Sequence, residues 1–426
     1  MRRLRFGLVF LLAGPGVLAQ NTLRLTLAEA EKLAVKNNPA LSAAQLLARA
    51  AEQSPVELRS NLQPSAAVNF TGVGADSGSR LAAGSLNNPA VFSRIAGGIT
   101  VNQFITDFGR TKALIESARF RAAGENQIAE SVDANIVFQT DRAYFAVLRA
   151  RSVLTVAEET VKARQLIADQ VSELARNKLK SQLDVSFAQV NLSQAKLQLS
   201  AANNDLSSAI AQLANVLGLP AQAAFDLADE TMPGPVDTTA DTYLQQAVLK
   251  RPELASLRLQ VSAGEKTLQA ERDLWLPNIS ALGTMGFVPA GEANIPGRYG
   301  AAGVNVSIPV FNGGLFKARQ TEAELRLQSA RKSVEDLRNR VTRDVRMAWL
   351  AAMTAFEQVG LTAQLMEQSQ LALDLAGERY KLGLSSILEL SQAELNYTAA
   401  RIANAGAKFD YQTQHSYLLY QTGALR

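Results

Sequence analysis

Cysteine is absent from the 426 residues, histidine occurs once, as His415, and tryptophan occurs twice. Without cysteine there is no disulfide framework, so packing alone must hold the chain together. One histidine, with no His-Glu-x-x-His spacing and no phosphate-binding glycine loop, leaves little from which to build proton-transfer or metal chemistry. His415 stands beside Gln414 and Tyr417 in a helical segment, which suits a packing or surface role. Paired acids such as Glu158-Glu159 lie among Lys and Arg on helical faces, where solvated ion pairs are the ordinary outcome. No enzyme, metal or cofactor is expected.

An excess of one charge is also missing. The formal net charge is +4, but Arg2, Arg3 and Arg5 supply three of those charges, and the remainder holds forty basic against thirty-nine acidic residues. No basic cluster interleaved with aromatics occurs, so nucleic acid is not a partner. The three arginines precede an apolar run from Phe6 to about Leu18 and the small residues around Ala19, the layout of a secretory signal over residues 1–19. Beyond it no apolar run reaches eighteen residues, so a transmembrane helix is excluded and any membrane contact falls to strands.

What the chain does contain is a duplication. Pro64 is answered by Pro277, and Asn38-Pro39 by Arg251-Pro252, at a displacement of about 213 residues. A displacement of about 205 then relates Lys112-Ala113 to Lys317-Ala318, Tyr144 to Trp349, Leu183-Asp184 to Leu388-Glu389 and Gly218 to Gly423. The eight-residue difference falls in the Gly/Ser/Asn-rich stretch Ala75–Asn88, where a loop absorbs it. Two structural repeats are expected, over 20–218 and 242–426, joined by a Pro-bearing linker over 219–241 at the waist of the helical part.

Each repeat opens with helical spacing. Leu27, Ala30, Leu33 and Ala34, then Leu41, Ala44, Leu47 and Ala48, predict two short helices broken at Asn37-Asn38-Pro39, and Thr26 with Glu29 forms a capping-box pattern. The period then changes to two. Strands are predicted over 65–74, 94–105, 278–287 and 301–310, apolar on one face and small or polar on the other. About ten residues is the length a tilted strand needs to cross a bilayer. After each strand pair comes a Gly turn and a very long run nearly free of Pro and Gly. Steps of three and four, as in Val334, Leu337, Val341, Val345 and Ala348, mark coiled-coil spacing. Helical hairpins are predicted over 111–217 and 316–422, with arms of roughly 100 Å at 1.5 Å per residue. Ala118, Ala122, Ala123, Ala399, Ala400 and Ala403 would let neighbouring helices approach closely, whether around a cylinder or in a closed bundle.

Strand edges in hydrocarbon must be paired, and four strands cannot close a barrel. If these strands are membrane-embedded, more than one chain is required. A periplasmic coiled-coil scaffold or adaptor without a pore remains the alternative, although it leaves the four bilayer-length strands without a purpose.

Pro309-Val310-Phe311-Asn312-Gly313-Gly314 resembles the strand exit of the outer membrane efflux protein family, the TolC-like trimeric channels. Arg379-Tyr380-Lys381-Leu382-Gly383 with Leu388-Glu389 and Ala393 resembles that family's hairpin tip. The resemblance covers essentially the whole chain after the signal. It implies a mainly α fold with a small β part, a homotrimer forming a 12-stranded β-barrel in outer membrane lipid, and an α-helical barrel projecting into the periplasm. It also implies a passive exit duct of a tripartite efflux or type I secretion system, served by a periplasmic adaptor (membrane fusion) protein and an inner membrane transporter. Asp374, Glu378, Arg379 and Tyr380 become candidates for the channel entrance and gate. Leu179, Ser181, Gly383, Leu384, Ser385 and Ser386 become candidates for adaptor docking at the tips. The first repeat departs from the tip pattern, with Asn177 and Lys178 where Leu382 and Gly383 stand, and Asp107-Phe108-Gly109 lacks the preceding Pro.

Overall fold

The computed structural model describes residues 23–76, 79, 91–220, 225–291, 293 and 295–425; the signal expected over 1–19 and most of the 75–88 stretch lie outside them. In chain order the elements are β1 (Leu23–Leu25), α1 (Leu27–Asn37), α2 (Pro39–Ala51), α3 (Ser54–Ser60), β2 (Ser65–Val73), β3 (Arg94–Thr106), α4 (Arg110–Arg176) and α5 (Gln182–Val216). There follow β4 (Phe225–Leu227), α6 (Asp241–Lys250), α7 (Pro252–Arg272), a 3-10 turn, β5 (Asn278–Gly291), β6 (Arg298–Ser307), α8 (Leu315–Lys381) and α9 (Ile387–Thr422). No helix among the described residues is long and apolar enough to cross a membrane.

The chain divides into two compact units. The first comprises Met1–Asn38, Gln139–Pro235 and Met353–His415. Here Thr26 caps α1 as the sequence implies: its main-chain N–H donates to Glu29 Oε2 at 2.9 Å, and the Glu29 N–H donates to Thr26 Oγ1 at 3.4 Å. β1 pairs in parallel with β4. That strand lies inside the expected linker, and at three residues it is too short to leave a periodic signature. Tyr144, fully buried, anchors it: the Oη lies 3.0 Å from the Leu25 carbonyl and 2.7 Å from that of Ala228. Burial, reinforced by Glu230 and Asp229, pushes the phenol up to about 12, so it remains a donor throughout the physiological range.

The second unit comprises Pro39–Phe138, Val236–Ala352 and Ser416–Arg426. Its sheet is antiparallel in the order β2-β3-β5-β6. The stretch expected as a second short helix is two, α2 and α3; Pro55 sits in the first turn of α3, where its missing N–H has no partner to lose. β5 extends four residues past the expected 287, through Pro289, and β6 covers 298–307 rather than 301–310. Pro289 is tolerated because it falls in the register shift opposite Ala96 of β3 and beyond the last β6 pair, Phe287–Arg298, and β6 stops before Pro309, which has no N–H to donate. Trp349 donates its indole N–H to the Asp237 carbonyl at 2.9 Å and packs with Ala348, Ala352 and Leu418.

Each unit also contains one close glycine contact of the same kind. Gly218, with φ 68°, ends the helix α5 turn so near Asn37 that a Cβ would stand 3.1 Å from that residue's Cβ and carbonyl. Gly423, with φ 70°, would place a Cβ 3.0 Å from the Lys250 carbonyl group. In both, the contact falls at the residue or two before an X-Pro break, Asn38-Pro39 and Arg251-Pro252.

Candidate functional site

The hairpin turns lie in the first unit, and the two share one backbone geometry. At the end of α4, Asn177 N–H donates to Glu173 O, Lys178 N–H to Ala175 O and Leu179 N–H to Leu174 O, the last at 2.9 Å. At the end of α8, Leu382, Gly383 and Leu384 repeat this with Glu378, Tyr380 and Arg379, the last at 2.8 Å. Both are left-handed helix caps, with φ 58° at Lys178 and 73° at Gly383. The sequence departure at Lys178 is therefore not a backbone departure; a lysine is held where glycine is at ease.

Leu179 and Leu384 occupy equivalent positions after the left-handed residue, 69% and 67% exposed. Ser181 caps α5 in a capping box, its N–H donating to Asp184 Oδ2 at 3.0 Å and Asp184 N–H to Ser181 Oγ at 3.1 Å. Ser386 plays that part for α9, accepting from Glu389 N–H at 3.3 Å. Ser385 is half-buried. Lys180, absent from the sequence-based candidates, places its Nζ 4.0 Å from the Tyr380 ring centroid. It joins the two turns by a cation–π contact.

Beneath the turns, Ala168, Val171, Ala188, Leu192, Ala376, Ile387, Leu390 and Ala393 form one cluster, with Tyr380 packed against it. Of the entrance candidates, Tyr380 is thus embedded, whereas Asp374, Glu378 and Arg379 are exposed. Asp374 accepts from Gln370 Nε2 at 3.0 Å, Glu378 pairs with Lys381 at 2.7 Å, and Arg379 lies 3.6 Å from Glu389 across the turn.

Sequence reasoning missed a charge pair deeper in the same unit. Arg164 on α4 and Glu394 on α9 approach to 2.9 Å with side chains only 6% and 12% exposed. The geometry brings charge to charge without forming a well-directed hydrogen bond. Burial pulls the guanidinium down from its usual value, opposed by Glu394, and pushes the carboxyl up, opposed by Arg164. Nearby, Asn191 Nδ2 donates to Ser391 Oγ at 2.6 Å. The available signal was Glu394 falling four residues after Leu390 and one after Ala393, a charge within an apolar stripe.

The sheet of the second unit has two chemically different faces. In register, Phe70, Gly97, Phe287 and Arg298 form one row, then Val68, Ile99, Met285 and Gly300, then Ala66, Val101, Gly283 and Ala302. The opposite face carries Asn69, Gly98, Gly286 and Tyr299, then Ala67, Thr100, Thr284 and Ala301, then Ser65, Asn102, Leu282 and Gly303. The first face is apolar and stays open, with Phe70 79% and Met285 67% exposed. Among the described residues neither β2 nor β6 has a partner on its outer side.

A sheet apolar on one side and small-polar on the other, with β3 and β6 each leading into a 67-residue helix, has the two-faced pattern of a membrane channel wall. A model of the outer membrane efflux protein family matches residues 31–219 and 243–424, and the chain belongs to that family. It is 25% identical to the outer membrane efflux protein BepC of Brucella suis biovar 1 (strain 1330), over 97% of this chain and 89% of BepC. It is 23% identical to the outer membrane protein TolC of Escherichia coli (strain K12), over 88% of this chain and 77% of TolC. Its fold is also that of the outer-membrane channel OprN, with a TM-score of 0.80 at 17% identity over 93% of this chain and 90% of OprN. The family is one of channel proteins, not enzymes; its members sit in the outer membrane and serve as exit ducts for efflux or secretion.

Proposed function

We propose that this chain is one protomer of a homotrimeric, passive exit duct that spans the outer membrane and continues through the periplasm in a tripartite efflux or type I secretion system. The observation that supports it most is the four-stranded sheet with an open apolar face and two unpaired edges. Hydrocarbon does not tolerate such edges, so β6 of one chain pairs with β2 of the next. Three chains close a wall of twelve strands, with the apolar rows toward lipid and the Asn/Thr/Ser rows toward water. The long helical hairpins of two structural repeats, 20–218 and 242–426, continue the passage as a coiled-coil-like helical barrel with the 219–241 linker at its waist. Residues 1–19 direct export and are removed.

In this reading Asp374, Glu378, Arg379 and Tyr380 line the periplasmic entrance, and the contacts of Arg379 and Tyr380 across the turn hold it narrow. Leu179, Leu384 and Gly383, flanked by Ser181, Ser385 and Ser386, dock a periplasmic adaptor, which connects the duct to an inner membrane transporter. The exposed leucines after both left-handed caps support this role. Three Asp374 carboxylates around one axis form a cation-binding ring.

Purified protein in detergent should run as a heat-sensitive oligomer and give discrete conductance steps in a planar bilayer. Multivalent cations on the periplasmic side should block those steps, and Asp374→Asn should relieve the block. A water-soluble monomer without affinity for bilayers would overturn the proposal.

A further inference from the structure

On the small-polar face of the sheet, at the end of the strands away from where α4 and α8 depart, the described residues include one aromatic, Tyr299. Side chains on a strand ordinarily stand roughly perpendicular to the sheet. Tyr299 lies down. A Cβ built on Gly286, its direct partner on β5, would stand 2.4 Å from both Cζ and Oη of the ring. A Cβ built on Gly98, the next residue in the row on β3, would stand 2.1 Å from Oη and 3.0 Å from Cζ. The phenol therefore runs across β5 to the edge of β3 in space that any side chain at either position would fill. Neither glycine has a positive φ, so the requirement is for room, and at Gly286 an added Cβ would also meet the Gly97 carbonyl oxygen at 2.5 Å. On the apolar face Phe70 covers Gly97, at 2.9 Å from an added Cβ. That ring faces the lipid side and does not bear on the passage.

Resting on the proposed duct, in which the Asn69/Gly98/Gly286/Tyr299 face lines the lumen, we propose that Gly98 and Gly286 form a slot holding Tyr299 flat on the wall, making Tyr299 the residue that sets clearance at the outer end. An upright tyrosine from each protomer would crowd that end; a flat one leaves it open and offers cargo only a ring face. Tyr299 affects the passage through its posture, and the two glycines set that posture.

The test compares wild type, Gly98→Ala, Tyr299→Ala and the double variant by single-channel conductance, together with the 19F resonance of 3-fluorotyrosine placed at position 299. Gly98→Ala should lower conductance by roughly one third or more, the double variant should restore it, and Tyr299→Ala alone should change it little. The fluorine resonance should move toward its solvent-exposed position in Gly98→Ala. An added Cβ at Gly98 also meets the Met285 carbonyl at 2.8 Å, so Tyr299→Trp, whose wider ring does not fit the slot, serves as a second variant and should likewise lower conductance. If wild type conducts and neither Gly98→Ala nor Tyr299→Trp changes conductance, the clearance role is wrong. If the fluorine resonance is that of a solvent-exposed ring already in wild type, the slot is wrong. A wild-type protein that does not conduct removes the duct reading and the clearance role with it, while the resonance still decides the slot.

Discussion

Removing the Glu394 carboxylate tests whether the helical part is held together by charge or by shape. Arg164 and Glu394 approach to 2.9 Å with side chains 6% and 12% exposed, so Glu394→Ala leaves a guanidinium with almost no water around it. A buried pair broken on one side typically costs about 3–5 kcal/mol, because the surviving charge keeps its desolvation penalty and loses its compensation. A solvated pair costs about 0–1 kcal/mol. The two regimes are far enough apart to decide between. Replacing both partners by apolar residues of similar length, Arg164→Met with Glu394→Met, should bring the loss back to near zero or below, since neither charge then needs water. The assay is denaturant unfolding of the detergent-solubilised protein followed by helical circular dichroism, for wild type, each single variant and the double. A loss below about 1 kcal/mol for Glu394→Ala would mean that water reaches the pair. A double variant as unstable as the singles would show that packing, not charge, was removed. Either result refutes the reasoning.

Lys178→Gly relieves about 1–2 kcal/mol of left-handed strain at φ 58° and returns about 0.4–1 kcal/mol through a freer unfolded chain, so it should stabilise by about 1 kcal/mol; Gly383→Ala at φ 73° should cost about as much, both read from the same unfolding curves. Ser181→Ala removes the acceptor for Asp184 N–H and should cost about 1 kcal/mol, with Ser181→Asp retaining most of it. Burial lowers the His415 pKa below the ordinary imidazole value of 6.5, so the folded state resists a proton that the unfolded state accepts. Stability from this residue is complete above pH 6.5 and is lost as pH falls from there through the lower folded value, by at most about 1.4 kcal/mol per pH unit. His415→Gln should flatten that limb of a stability–pH curve, and an unchanged slope would assign it to other groups.

The long elements were legible because their periodicity is repeated many times over. Steps of three and four through Val341, Val345 and Ala348 name a helix face, and all three are buried to 1% or less. The alternation from Ser65 and from Asn278 marks strand starts at the observed residues. Boundaries set by pairing were less legible: β6 begins at Arg298 because Phe287 across the turn is available to it, which composition does not reveal. β4 was hidden by its length, whereas the break between α2 and α3 does carry a local signal, Glu52-Gln53-Ser54-Pro55, that a reading of two short helices passes over. At the candidate site, the caps at Ser181 and Ser386 follow from local chemistry, whereas the Arg164–Glu394 and Lys180–Tyr380 contacts join residues about two hundred positions apart. No local pattern encodes such a pairing.

Those long-distance contacts share a property that bears on how the duplicated halves came to differ. Gly383 and Lys178 occupy the same left-handed position, yet only the second half has the residue suited to it. In the first half the strain is carried by a lysine, and two residues on a second lysine, Lys180, rests on Tyr380 of the other turn. Likewise Arg164 comes from the first half and Glu394 from the second. In these two contacts the first half supplies the cation, whereas between α4 and α9 Arg401 of the second half also pairs with Glu159 of the first. At the displacement of about 205 the counterpart of Arg164 is Ser369 and that of Glu394 is Gln189, so the charge pair has no equivalent in the other repeat. Polarity between the halves therefore varies from pair to pair, and exchanging the charges, Arg164→Glu with Glu394→Arg, should preserve stability far better than either exchange alone. If the double exchange is no better than the single ones, the packing around the pair decides stability and the charges are merely tolerated there.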